Sequence, residues 1–197
     1  TRRSSDLGND VFTSAELEAL YFKSASDRIQ SRIYNETMAE DAARGMIEEI
    51  KRKGYLSAKL IAFKTQEMDS KGNLLLRIFV NEGLQTRVQR IEFKGQTIFT
   101  AEKLSEFLGI HEGNPLNLVQ LEDGIDRIKR EYRNEGYLKI QIDNEAKNQI
   151  VAYSEKNQNA YLTFDLTEGA QFRLSEARVF GNEKTVRQVI LQEVQIQ

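Results

Sequence analysis

Cysteine is absent from this chain of 197 residues, which rules out zinc–thiolate sites, thiol catalysis and disulfides together. Histidine occurs once, as His111, in a Gly-rich connection with no Ser or Cys partner near it in sequence. A catalytic or metal-binding role for it is therefore not expected. Acidic residues are plentiful, but no spacing marks a paired-carboxylate site or a calcium loop. Phosphate-cradling and dinucleotide fingerprints are missing as well. No apolar run approaches the roughly 18 residues that span a bilayer. There is no basic excess either. The formal net charge is −2, which argues against nucleic acid as a partner. Neither an enzyme nor a cofactor or metal site is expected.

The remaining composition is that of a globular protein, with 29% charged and 40% apolar residues. The chain starts at Thr1 with neither Met nor a signal sequence. It reads as an excised segment whose targeting or membrane regions lie elsewhere.

The most informative feature is an internal repeat. Lys53-Gly54-Tyr55 and Glu135-Gly136-Tyr137 end two look-alike helices 82 residues apart. In the second copy, Arg87 to Phe93 alternates polar and apolar residues and stops at Gly95, as a half-buried strand does. Thr100 stands at an N-cap position before a short helix with Leu104, Phe107 and Leu108. Gly113-Asn114-Pro115 breaks it. From Asn117 to Glu135, Leu121, Ile125, Ile128 and Tyr132 form one apolar stripe. Alternating Leu138, Ile140 and Ile142, then Leu162, Phe164 and Leu166, predict two strands, and Glu168-Gly169 closes the unit.

The first copy follows the same order. Thr13 and Glu16 are spaced as a capping box, Asn35 matches Asn117, and Ala39, Ala43, Met46 and Ile50 occupy the stripe. Ala58, Leu60 and Ala62, then Leu76, Ile78 and Val80, predict two strands before Glu82-Gly83. Its opening strand falls on Thr1 to Leu7, a polar stretch with a weak signal. A third copy begins at Phe172, with Thr185 to Leu191 resembling the start of a first helix. The expected division is residues 1–85, 86–171 and 172–197, the last being an incomplete unit. Because only one face of each strand is apolar, both helices of a unit must cover that face of a small sheet.

The ordered set Phe93-Lys94-Gly95, Leu108-Gly109-Ile110, Gly113-Asn114-Pro115-Leu116 and Tyr132-Arg133-Asn134-Glu135-Gly136-Tyr137 resembles the POTRA (polypeptide-transport-associated) domain of the outer-membrane assembly superfamily, as found in BamA-type and TamA-type proteins. The first copy departs from it between Lys23 and Ile33, which is longer, more polar and lacks Gly-x-Pro. The resemblance implies an α+β fold of tandem POTRA modules. Each is β-α-α-β-β, a three-stranded mixed sheet covered on one face by two helices, with the second strand at the edge. It also implies a periplasmic scaffold preceding a C-terminal β-barrel, which receives unfolded outer-membrane proteins and docks accessory periplasmic lipoproteins. Alternative uses of the module are a dedicated secretion transporter, an organelle-import transporter and a cell-division protein.

An edge strand offers unpaired N–H and C=O groups to an incoming extended peptide. The expected edges are Ser57 to Lys64, with Ser57, Lys59, Ile61 and Phe63, and Lys139 to Asp143, with Lys139, Gln141 and Asp143. Charged edge residues favour simple solvation of the second. On the sheet face away from the helices, the first unit is expected to present Ile61, Phe63, Leu75 and Phe79, where the second has Asp143, Tyr161 and Asp165. Such an apolar face suits a partner, unless it meets a neighbouring unit or a register slip buries it. Lys129, Arg130 and Arg133 are interleaved with Asp126 and Glu131 and are expected on a solvated helix face.

Overall fold

The computed structural model describes residues 11–154, 156–178 and 180. The expected opening strand at Thr1 to Leu7 and the helix start at Thr185 to Leu191 lie outside these residues.

Unit 1 begins with α1 (Ser14–Lys23). The Thr13 hydroxyl accepts from Glu16 N–H while the Glu16 carboxylate accepts from Thr13 N–H, the reciprocal capping box its spacing predicts. The polar connection after α1 is not plain loop. It holds one helical turn, α2 (Asp27–Gln30), which buries Ile29. The long helix α3 (Glu36–Arg52) is capped by Asn35. Its stripe of Ala39, Ala42, Ala43, Met46, Ile47 and Ile50 faces an antiparallel hairpin of β1 (Lys59–Glu67) and β2 (Leu74–Asn81).

Unit 2 is complete. β3 (Arg87–Lys94) leads to α4 (Ala101–Leu108) and α5 (Leu118–Asn134), then to β4 (Gln141–Ile142), β5 (Val151–Tyr153) and β6 (Asn159–Thr167). β6 lies at the centre, with β3 parallel on one side and β4 and β5 antiparallel on the other. Its alternate residues Ala160, Leu162, Phe164 and Leu166 point at the helices and meet Leu121, Ile125, Ile128 and Tyr132. Phe93 and Phe164 stack at 4.9 Å between ring centroids. Residues 172–178 form no strand. A first strand of this fold is completed by its own unit's last strand, as β3 is by β6.

Each unit ends on a glutamate that ties its last strand to the segment entering its first helix. In unit 1, the buried Glu82 carboxylate accepts from Val11 N–H at 3.0 Å and Phe12 N–H at 3.2 Å. In unit 2, Glu168 accepts from Thr97 N–H at 2.8 Å, Ile98 N–H at 3.1 Å, the Tyr132 hydroxyl at 2.8 Å and the Thr97 hydroxyl. Burial alone would raise the Glu168 carboxyl. The hydrogen bonds from Thr97, Tyr132 and Ile98 outweigh it and hold the pKa below the ordinary value.

Candidate functional site

The two sheets present unequal edges, and the difference starts with one residue. In the β1–β2 register Leu60 faces Val80 but Ala62 faces Phe79, so Ile61 is the extra residue of a β-bulge. Past it the alternation changes parity. Phe63 pairs with Ile78 and packs against the unit 1 core, while Ala62 turns to the outer face with Phe79. This corrects two expectations, since Phe63 leaves the outer face and Ala62 leaves the inner one. A strict period of two cannot survive an inserted residue.

Leu75 and Phe79 lie on the outer face, both half-buried, beside Lys64, Gln66 and Arg77. The Lys64 ammonium sits 6.0 Å from the Phe79 ring centroid. Ile61 is 55% exposed at the bulge. The apolar content of the outer face is therefore Ile61, Leu75 and Phe79, diluted by charge. The outer face of unit 2 is polar, with Arg90 beside Tyr161, Glu92 beside Thr163 and Lys94 beside Asp165.

Along the edge, β1 runs nine residues and pairs only with β2 among the described residues. From Ala62 to Glu67 the register is unbroken. In an antiparallel pair, alternate residues turn their N–H and C=O outward, so this stretch is a template for strand addition. Ser57, expected in the edge, is instead in the turn before β1, against Gly83. Lys59 opens β1 on the other side of the bulge.

The corresponding edge of unit 2 is short and interrupted. Lys139 and Leu138 lie in a turn rather than a strand, and only Gln141 and Ile142 form β4. Asp143 begins the turn after β4, where its carboxylate accepts from the Thr167 hydroxyl at 2.7 Å. Pairing resumes at β5, a strand that hydropathy alternation does not indicate. The gap is filled by a side chain. Asn144 is buried, donates to the Thr163 carbonyl at 2.8 Å and accepts from Asp165 N–H at 3.2 Å. It thereby serves β6 as a strand residue would. The Lys129 ammonium bonds the Glu145 carboxylate at 2.6 Å and fastens the same turn to α5. Lys129 is thus a tether, while Arg130 and Arg133 are exposed.

No cluster of three or more His, Cys, Asp or Glu is placed to hold a metal among the described residues. None of their helices is long and apolar enough to cross a membrane.

Comparison with known proteins fits this geometry. The family described as "POTRA: Surface antigen variable number repeat" matches residues 86–169. A Treponema pallidum protein bearing the name of an outer membrane protein assembly factor is 25% identical over 182 residues, covering 90% of this chain. The outer membrane protein assembly factor BamA of Neisseria meningitidis is 21% identical over 175 residues, covering 84% of it. The chain spans about a fifth of each relative, 21% in both cases. The crystal structure of Haemophilus influenzae BamA POTRA3-5 superposes over 96% of this chain and 74% of its own, with a TM-score of 0.50 at 18% identity. That superposition establishes the fold. Residues 86–169 match the POTRA family model, and the chain as a whole carries an α+β fold like that of POTRA modules in tandem.

Proposed function

We propose that this chain is the periplasmic scaffold region of an outer-membrane β-barrel assembly or insertion protein, and that it receives unfolded outer-membrane polypeptides at the β1 edge of unit 1. The observation that carries this reading is the contrast between the edges. β1 offers an unbroken run from Ala62 to Glu67, whereas Asn144 and the turn from Asp143 occupy the matching place in unit 2. Backbone pairing supplies affinity with little regard to sequence, which suits a receptor for many clients. The charges of Lys64 and Glu67 would keep such an edge soluble between clients. Accessory lipoproteins are assigned to the outer face around Leu75 and Phe79.

The edge assignment is tested with a photo-crosslinking residue at Gln66 or at Gln141 and an unfolded strand peptide from a β-barrel protein. Crosslinking from position 66 and none from 141 is expected. Crosslinks from 141 alone, or from neither, would remove β1 as the receiving edge. Lipoprotein docking is tested with Leu75→Ser and Phe79→Ser, which should weaken capture of the lipoprotein and leave the unit folded. Unchanged capture by both would move that partner elsewhere.

A further inference from the structure

The unit 2 sheet has a second edge, along the outer side of β3, and the chain covers it with its own backbone. The connection between α4 and α5 runs antiparallel to the start of β3, with Pro115 opposite Arg87. Val88 N–H donates to the Asn114 carbonyl at 2.9 Å, Gly113 N–H to the Val88 carbonyl at 2.7 Å, and Leu116 N–H to the Thr86 carbonyl at 2.9 Å. The Arg87 guanidinium holds the same segment through the Gly113 carbonyl at 2.8 Å. Residues 113–116 thus act as a short added strand supplied by the chain itself.

The cover ends on a side chain. Ile91 turns its N–H away from β6 and donates it to the Glu112 carboxylate at 3.0 Å. Beyond it, alternation leaves only Phe93 facing outward before β3 stops at Lys94. The covering segment is itself a poor template. Leu116 N–H and the Asn114 carbonyl face β3, so position 115 turns its backbone outward, and the chain's single proline stands there with no N–H to offer. In β1, by contrast, the run from Ala62 to Glu67 pairs with β2 alone among the described residues.

We infer that Glu112 and the connection it ends form an edge guard, which denies β3 to incoming polypeptide strands and leaves β1 to receive them. The inference rests on the reading of β1 as a receiving edge, but its β3 half is tested separately. An unpaired edge is a template for any extended chain. An occupied edge accepts a strand only after its occupant leaves, and this occupant is tethered at both ends by α4 and α5.

A photo-crosslinking residue at Glu92 reports on the β3 edge and one at Gln66 on β1. Each is placed in the natural-length protein and exposed to an unfolded strand peptide from a β-barrel protein. The parent is expected to crosslink from 66 and not from 92. Glu112→Ala removes the acceptor, so the Ile91 amide should exchange about tenfold faster by mass spectrometry, and crosslinking from 92 should appear. Glu112→Gln keeps a side-chain oxygen that accepts and should behave as the parent. Adding Gly113→Pro to Glu112→Ala deletes the Gly113 donor and forbids the φ of +85° found there, so capture at 92 should rise further. Circular dichroism checks each fold, and Glu112→Ala alone decides the matter if the double variant unfolds. Crosslinking from 92 in the parent would overturn the proposal. So would a silent 92 in Glu112→Ala, whether or not Ile91 exchanges faster. Capture at 92 by Glu112→Gln as strong as by Glu112→Ala would remove the hydrogen bond as the guard. Silence at 66 throughout, with capture at 92 in Glu112→Ala, would instead fell the β1 reading and leave the guard standing.

Discussion

Glu168 shows how one side chain can hold a unit closed. Four donors converge on its carboxylate, and three of them, on Thr97 and Ile98, lie about 70 positions away in sequence. The Glu-Gly ending is visible in both copies, but its purpose is not, because no local pattern encodes a pairing across that distance. Its depressed pKa gives a signed expectation. The unfolded carboxyl titrates near its ordinary value of 4.5. The stabilisation is therefore fully present above that pH and is lost as pH falls through the lower folded value. Glu168→Gln should cost about 2 kcal/mol at neutral pH, the scale of a lost charged acceptor with buried donors. It should also flatten the acid limb of a urea-denaturation series below the ordinary carboxyl value of 4.5. An unchanged acid limb would place the titration elsewhere. Hydropathy alternation also misplaces Phe63, since one inserted residue at Ile61 reverses every side chain after it. Phe63→Ser should destabilise the protein by about 2 kcal/mol, and Phe79→Ser by less than about 1 kcal/mol. Equal losses in urea denaturation would return Phe63 to the outer face.

Helices are more legible in the sequence than edge strands. The caps Thr13, Asn35, Thr100 and Asn117 and the apolar stripes are local signals repeated in both copies, and each helix forms where they point. A strand has no such autonomy. The second strand of unit 2 is divided because Asn144 substitutes for strand backbone, and nothing in the alternation of Leu138, Ile140 and Ile142 announces a side chain acting as a ladder partner. Asn144→Ala should remove both bonds and leave the Thr163 carbonyl and Asp165 N–H unpaired. We expect a loss of about 1–3 kcal/mol and faster hydrogen exchange at Asp165 than elsewhere in β6. Uniform exchange along β6 would mean that Asn144 does not complete the β6 ladder.

For the molecule as a whole, the two units share a framework, and the proposed function is assigned to the surfaces where they diverge. Both units keep the same capped long helix and glutamate clasp, and Thr86 N–H donates to the Gly54 carbonyl as Phe172 N–H does to the Gly136 carbonyl. They differ in the sheet edge, which is continuous in β1 and interrupted between β4 and β5. Units 1 and 2 meet where Thr86 N–H donates to the Gly54 carbonyl and Leu56 packs against the core of unit 2. Gly54→Val forces a β-branched residue to positive φ against the Thr86 carbonyl, at a cost of about 1–3 kcal/mol. It should broaden the distance distribution between spin labels on α3 and α5 while leaving each unit folded. A distribution as narrow as the parent's would show that Gly54 does not set the orientation. The central claim is that polypeptide adds to β1 and not to unit 2. It is tested most directly by titrating the chain with an unfolded β-barrel strand peptide while following backbone amides by NMR. The account predicts shifts and slowed exchange concentrated between Ala62 and Glu67, with Gln141, Ile142 and β5 unmoved. Shifts at the unit 2 edge, or on the outer faces with β1 silent, would contradict it.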